Sequence, residues 1–328
     1  MQEHATRPLN VTVLAGSRAQ HAYYARAGLS VPGAGPAAGF PPRPSLNLRD
    51  FGGKTITDLV FANHYLGGSA AWDPADMASI DAALAKAMTD HGLQSVIQQY
   101  FDGPVTTRML PSVVLPDPAP DRIFKDQVEA LAAHIYPGGA LTGADPASTL
   151  VNVMLPRGVV LVDGFSPGFQ PPAGQEAEHE RRRRAVVTID DEDADSLSGL
   201  GGYHGSAHVT AAAGSGAAVY YAVGVYSEGG NGVPVFGQPW KNVVATFYHE
   251  LNEARTDPDV EDAIRAGDDS KLGWYSRRGG EIGDIPVAEA GADLSLVFTE
   301  VDLSDGSGAV PVQLMWSNQT ATPASRTP

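Results

Sequence analysis

The sequence predicts an α/β fold, a mixed sheet with packed helices, and three observations carry that expectation. Segments of strand and helix periodicity alternate along the first half as strand, helix, strand, helix, strand. Clusters of glycine and proline punctuate them. Hydrophobic residues make up 43% of the 328 and charged residues 18%, which is the balance of a chain that buries a core. The length suits one large domain, and the division expected is an irregular N-terminal arm over residues 1–45 and a single α/β domain over 46–328.

Taken in order, VTVLA at residues 11–15 has the make-up of a short strand, and Gly28 to Ser45 is a Gly/Pro/Ala-rich loop or arm. Lys54 to Leu66 is strand-like, with β-branched and aromatic residues between glycines. Asp73 to Tyr100 opens on Asp-Pro, a helix start, and is interrupted near Gly92. Val113 to Leu115 can pair as a strand, and Arg122 to Tyr136 is a periodic helix ended by Pro137-Gly138-Gly139. Thr149 to Val162 carries two apolar runs broken by Pro156-Arg157-Gly158. The four arginines Arg181 to Arg184 are flanked by acidic residues on both sides, so they form a self-neutralised, solvated stretch rather than a nucleic-acid patch. Gly201 to Ser227 predicts a hairpin around Gly214-Ser215-Gly216. A long helix over 240–257 follows, then a short one closing at Gly267, the loop GWYSRRGGEIGD, and a terminal hairpin from LSLVFTEVDL and AVPVQLMWS.

Charge and composition exclude several classes. A formal net charge of −16 repels phosphate, so neither nucleic acid nor an anionic membrane surface is an expected partner. No apolar run approaches the roughly 20 residues that span a bilayer. With no cysteine, the chain has no disulfide, thiol nucleophile or Cys-ligated zinc. No secretory signal is visible at the start, which with the missing cysteines favours the cytoplasm, or secretion if the start has been trimmed. Walker and GxSxG patterns are also missing.

The chemistry concentrates in the helix over 240–257, where His249, Glu250 and Glu253 form HExxE. At helical pitch Val244, Phe247 and Leu251 share one face, and His249 and Glu253 lie roughly opposite, turned together toward a cleft. Zinc takes imidazole nitrogen and carboxylate oxygen alike, and Glu250 beside them suits a base acting on a bound water. A third ligand is needed, and Asp284 in GGEIGD is preferred over Glu281, with Asp257 and His204 as alternatives. Asp257 precedes Pro258 and is the better candidate for capping the next helix. His204, between glycines, is read as a substrate-side donor or a ligand, Trp274 as a pocket wall, and Tyr275 as a catalytic hydroxyl.

HELNEARTDP, GWYSRRGGEIGD and VQLMWSN, in that order and with GYH before them, resemble a pattern of bacterial and fungal secreted proteins distantly related to the plant phosphate-induced protein family. The resemblance covers Gly201 to Asn318. It implies a zincin-like second half and a zinc metallohydrolase. The chain departs from the pattern at Pro286, where a cysteine often follows GEIGD, and in having none after WSN. The expected function is zinc-dependent hydrolysis of a peptide or small amide, with Glu250 as general base. The alternatives are a non-catalytic binding protein with a structural metal or calcium, and a small-molecule tailoring enzyme using the same site.

Overall fold

Strand residues with alternating side-chain direction, and helices that need one face covered, assemble here as helix layers on both sides of a central sheet. The computed structural model describes residues 9–27, 39–136, 139–170, 195–208 and 218–327. The strands that matter are β1 (Val11–Val13), β2 (Asp58–Tyr65), β3 (Thr106–Met109), β4 (Val113–Val114), β5 (Thr149–Met154), β6 (Leu200–His208), β7 (Ala218–Gly224), β8 (Phe298–Asp302) and β9 (Ala309–Gln313). The helices are α1 (Arg18–Ala27), α2 (Pro74–Thr89), α3 (His91–Gln98), α4 (Lys125–Ile135), α5 (Pro239–Thr256), α6 (Val260–Ala266) and α7 (Asp284–Ala290).

The main sheet runs β1-β6-β7-β5-β2-β3, with β4 also on β2. β7, β5, β2 and β3 are mutually parallel, whereas β6 is antiparallel to both β1 and β7. Period-two alternation sends neighbouring residues into two different cores. Leu150 and Met154 of β5 pack with α2, α3 and α5, whereas Val151 and Val153 pack with α1 and α4. β5 is buried on both faces, as a central parallel strand should be.

Local chemistry explains the boundaries. Pro74 sits in the first turn of α2, and the Asp73 side chain caps it by accepting the Ala75 amide. The expected break near Gly92 falls at Asp90, which closes α2 and caps α3 through the Leu93 amide. The helix expected from Arg122 begins at Lys125, because Arg122–Phe124 pairs as a strand with Val160–Val162. Residues 9–27 are not an irregular arm. β1 is the edge strand of the main sheet, and Tyr23 and Tyr24 of α1 are buried. β6 and β7 pair antiparallel as a hairpin requires; its glycine turn and the arginine run both lie outside the described residues.

α5 departs most from expectation. Read as amphipathic, it is instead buried from Asn242 through Thr256 with no exposed face. One side lies on the sheet, where Gly202 and Gly224 admit it closely. A Cβ on Gly202 would come within 2.5 Å of the Val223 carbonyl and 3.0 Å of Thr246, and one on Gly224 within 2.9 Å of Phe247. The β8–β9 hairpin, α2 and α7 enclose the other sides. β7 is enclosed too: it is paired along both edges, by β6 and β5, and cannot accept a further strand.

Gly202→Ala should cost about 1–3 kcal/mol through overpacking against the β7 backbone, read as a lower denaturation midpoint at unchanged slope. A variant as stable as the parent would contradict this close approach.

Candidate metal centre

The polar face of α5 is aimed into the protein, at a place where β1, β6, α7 and β9 converge. Glu250, Glu253, Asp257, Glu281 and Asp284 bring five carboxylates there, with the imidazoles of His204 and His249, and all seven side chains are buried. Among the described residues no lysine or arginine pairs with any of the five. Arg255, on the same helix, points away and donates to the Thr106 carbonyl at 2.7 Å.

His249 is held by its Nδ1, 2.5 Å from Gln313 Oε1 on β9. The Gln313 amide nitrogen donates to the carbonyls of Gly283 at 2.7 Å and Leu314 at 3.1 Å, which fixes the amide's orientation. Its oxygen is therefore the acceptor and Nδ1 of His249 carries a proton, so Nε2 is the nitrogen that can take a metal in exchange for its own proton. That Nε2 lies 2.9 Å from Glu253 Oε2. Glu253 Oε1 accepts the backbone amides of Gly283 and Asp284, both at 3.1 Å. The glycine is required, because a Cβ on Gly283 would stand 2.5 Å from His249 Nδ1.

His204 reaches the cluster from β6. Its Nδ1 is 3.2 Å from Glu250 Oε2 and 3.6 Å from Glu253 Oε2, and its Nε2 is 3.6 Å from Glu281 Oε1. Glu250 Oε1 accepts the Thr12 hydroxyl at 2.5 Å, so the edge strand β1 covers this side. His204 and His249 Nε2, Glu253 Oε2 and both oxygens of Glu281 are buried without a hydrogen-bond partner. Polar atoms without partners at this depth are costly, and bound cations would relieve them.

The residues fit a metal. His249, Glu253 and Asp284 offer ligand atoms within 4.8 Å of one another, as do His204, Glu253 and Glu281. Two bonds of 2.0–2.1 Å at a tetrahedral angle set donor atoms about 3.3 Å apart, close to the His249–Glu253 and His204–Glu281 separations.

Electrostatics point the same way. Burial drives the Glu281 carboxyl well above the usual range, and the charges of Glu253, Asp257, Asp284 and Glu250 add to this. Asp284 is raised by burial and Glu253, against the opposing pull of His249. Asp257 is raised by burial and then by Asp259 and Glu253, although the Gly273 amide opposes it. Burial alone would lower His249, but Glu253, with Glu250 and Asp284 behind it, raises it to about 10.

The structure thus gathers His249, Glu250, Glu253, Asp284, Glu281 and His204, whereas the two aromatic positions stand differently. The Tyr275 hydroxyl lies near the cluster, but it accepts the Leu9 amide at 3.3 Å and is buried. Trp274, half-buried, packs against the core edge-to-face on Tyr100 at 5.2 Å. Asp257 does not cap α6; its Oδ1 accepts the Gly273 amide at 2.8 Å and its Oδ2 is orphaned. Asp284 begins α7 rather than lying in the loop. His208, on the same strand as His204, is half-exposed and pairs with Asp262 at 2.7 Å. Sequence reasoning missed Gln313 and Thr12. Each is a lone polar residue in an apolar strand, which is a weak signal that a buried partner is waiting.

No protein family, curated protein or solved structure matches the chain. Among the described residues no helix is long and apolar enough to cross a membrane.

Two outcomes test the centre. Without metal, each raised carboxyl opposes folding above its unfolded pKa of about 4, and this penalty grows as pH rises toward its folded value. The His249 contribution is complete below about 6.5 and is lost as pH rises through about 10. Both effects have one sign, so the melting temperature of chelator-stripped protein should fall from pH 5 to pH 9, and saturating zinc should flatten that slope. Gly283→Ala, which displaces the His249 ring without replacing any ligand residue, should weaken zinc binding about 10-fold or more by competition titration.

Proposed function

We propose that the chain is a divalent-metal hydrolase acting on an amide or peptide bond, with His249, Glu253 and Asp284 as metal ligands and Glu250 as general base. The observation that carries the metal is the buried set of inward atoms: His249 Nε2 and Glu253 Oε2 face each other at 2.9 Å with no other polar partner, beside the two unpartnered oxygens of Glu281. Imidazole donors favour zinc over calcium, which prefers an all-oxygen shell. Structural zinc sites are built mainly from cysteine and histidine, and histidine with carboxylate is the donor set of catalytic ones. Resemblance of HELNEARTDP, GWYSRRGGEIGD and VQLMWSN to the phosphate-induced protein pattern agrees with a zincin-like hydrolase but names no substrate.

A zinc ion held there would bring the pKa of a water in its open position to about 7. Glu250 would be the residue that takes a proton from water and returns it to the leaving amine. Thr12 and His204, hydrogen-bonded to its two oxygens, hold the carboxylate in one orientation.

Complete burial of the cluster favours a second reading, a closed structural metal site in a binding protein. The two readings part on one variant. Glu250→Gln should retain full metal content and lower turnover of a peptide or small-amide substrate by about 10²–10⁴-fold. In the parent, phenanthroline should abolish turnover and zinc restore it. A panel of peptides and small amides left uncleaved by the zinc-loaded parent would decide for the structural site.

A further inference from the structure

We infer that the centre holds two metal ions, one on His249 and Asp284, the other on His204 and Glu281, with Glu253 shared between them. This deepens the proposed function and rests on the metal site argued there. Three observations carry it.

The two histidines are prepared in the same way. His249 commits Nδ1–H to Gln313 Oε1 at 2.5 Å, and His204 commits its Nδ1 to Glu250 Oε2 at 3.2 Å. Glu250 is an acceptor on that side, so His204 Nδ1 is the donor and the lone pair resides on Nε2. A histidine whose far nitrogen donates to an amide oxygen or carboxylate is a histidine oriented for metal. Both Nε2 atoms are buried and without a partner.

The donors also form two groups, not one. His249, Glu253 and Asp284 make one, and His204, Glu253 and Glu281 the other, each with ligand atoms within 4.8 Å of one another. Glu253 is the member common to both. Its Oε1 is occupied by the Gly283 and Asp284 amides, which leaves the orphaned Oε2 as the atom between the groups. Oε2 is 2.9 Å from His249 Nε2 on one side and 3.6 Å from His204 Nδ1, the nitrogen turned to Glu250, on the other. Glu281, whose two oxygens are both orphaned, cannot be relieved by an ion confined to the His249–Asp284 side unless it turns toward it. An ion beside His204 Nε2, 3.6 Å from Glu281 Oε1, satisfies it where it stands. Paired ions about 3.5–4 Å apart are a recurring hydrolytic arrangement, clamping both attacking and leaving groups.

The charge balance agrees. Among the described residues the five buried carboxylates face no lysine or arginine, so with all five ionised one divalent ion leaves three negative charges uncompensated and two ions leave one. At this depth the difference is large, because buried charge is little screened.

The test is metal stoichiometry. Full-length protein is equilibrated with zinc, desalted and measured by plasma mass spectrometry, with circular dichroism as the folding control. We expect about two zinc ions per chain in the parent and about one in His204→Ala. Glu281→Gln, close in shape, should also hold one and stands in if the histidine variant does not fold. Cobalt-loaded parent should show an exchange-coupled pair by electron paramagnetic resonance, and the variants an isolated ion. One ion in the parent, whether His204→Ala keeps it or loses it, overturns the pair and leaves the metal hydrolase standing. No ion in the parent overturns both.

Discussion

Five carboxylates buried together, with two histidines but, among the described residues, no lysine or arginine to answer them, are the constraint on which this structure turns. Desolvating a single unpaired carboxylate costs several kcal/mol, and like charges held close make each further ionisation harder. A fold does not gather such a group by hydrophobic packing. What holds it is a frame of backbone amides and second-layer side chains: the Gly283 and Asp284 amides on Glu253, Thr12 on Glu250, Gln313 on His249, and the Gly273 amide on Asp257. Each fixes an oxygen or nitrogen on the outside of the cluster, and for Glu253, His249 and Asp257 it leaves the inward atom without a hydrogen-bond partner. That division between satisfied outer atoms and unsatisfied inner ones is what supports reading the cluster as a cation site.

The opposite face of the sheet shows that the chain neutralises buried acids with bases elsewhere. There Lys125 lies 2.7 Å from Asp163 and 3.0 Å from Glu261, and Arg265 joins Glu261 at 3.0 Å and Glu129 at 2.7 Å. Burial opposes both charges, yet the pair wins: Lys125 is raised and Asp163 lowered, so each stays ionised. Tyr23 donates to Asp163 at 2.7 Å, and the Lys125 ammonium sits over the Tyr203 ring. This network needs no added ion. Tyr203 and His204 are neighbours on β6 and face opposite ways, one into the paired network and one into the unpaired cluster. One strand thus separates an ionic core paired with lysine and arginine from a cluster of acids and histidines.

α5 makes the cluster possible because it is central rather than superficial. Its apolar side rests on the sheet through the gaps left by Gly202 and Gly224. Its start is tied down by Asn242, which accepts the Val235 and Phe236 amides and donates to the Ser227 carbonyl. The β8–β9 hairpin then closes over the polar side and delivers Gln313, while α7 delivers Asp284 and the Gly283 amide. A helix with carboxylates on a buried face is stable only when such elements arrive from far along the chain.

Much of this could be read from the sequence by itself. Alternating periodicities required an α/β arrangement, and Asp-Pro and proline signals marked the starts of α2 and the end of α5 to within a few residues. HExxE placed His249 and Glu253 as neighbours, because four residues are one helical turn whatever surrounds them. GGEIGD named Glu281 and Asp284 as the acids to watch, since glycine lets backbone approach closely. The tertiary structure alone decided the rest. Burial of α5 on all sides, the orientation of His204 toward Glu250 and Glu281, the enclosure of β7, and the parts taken by Thr12 and Gln313 depend on contacts between residues 30 to 238 positions apart. Periodicity reports which way a side chain points from its own element. It carries no information about which distant element meets it, and that meeting decides whether a carboxylate is solvated, paired or left waiting for a cation.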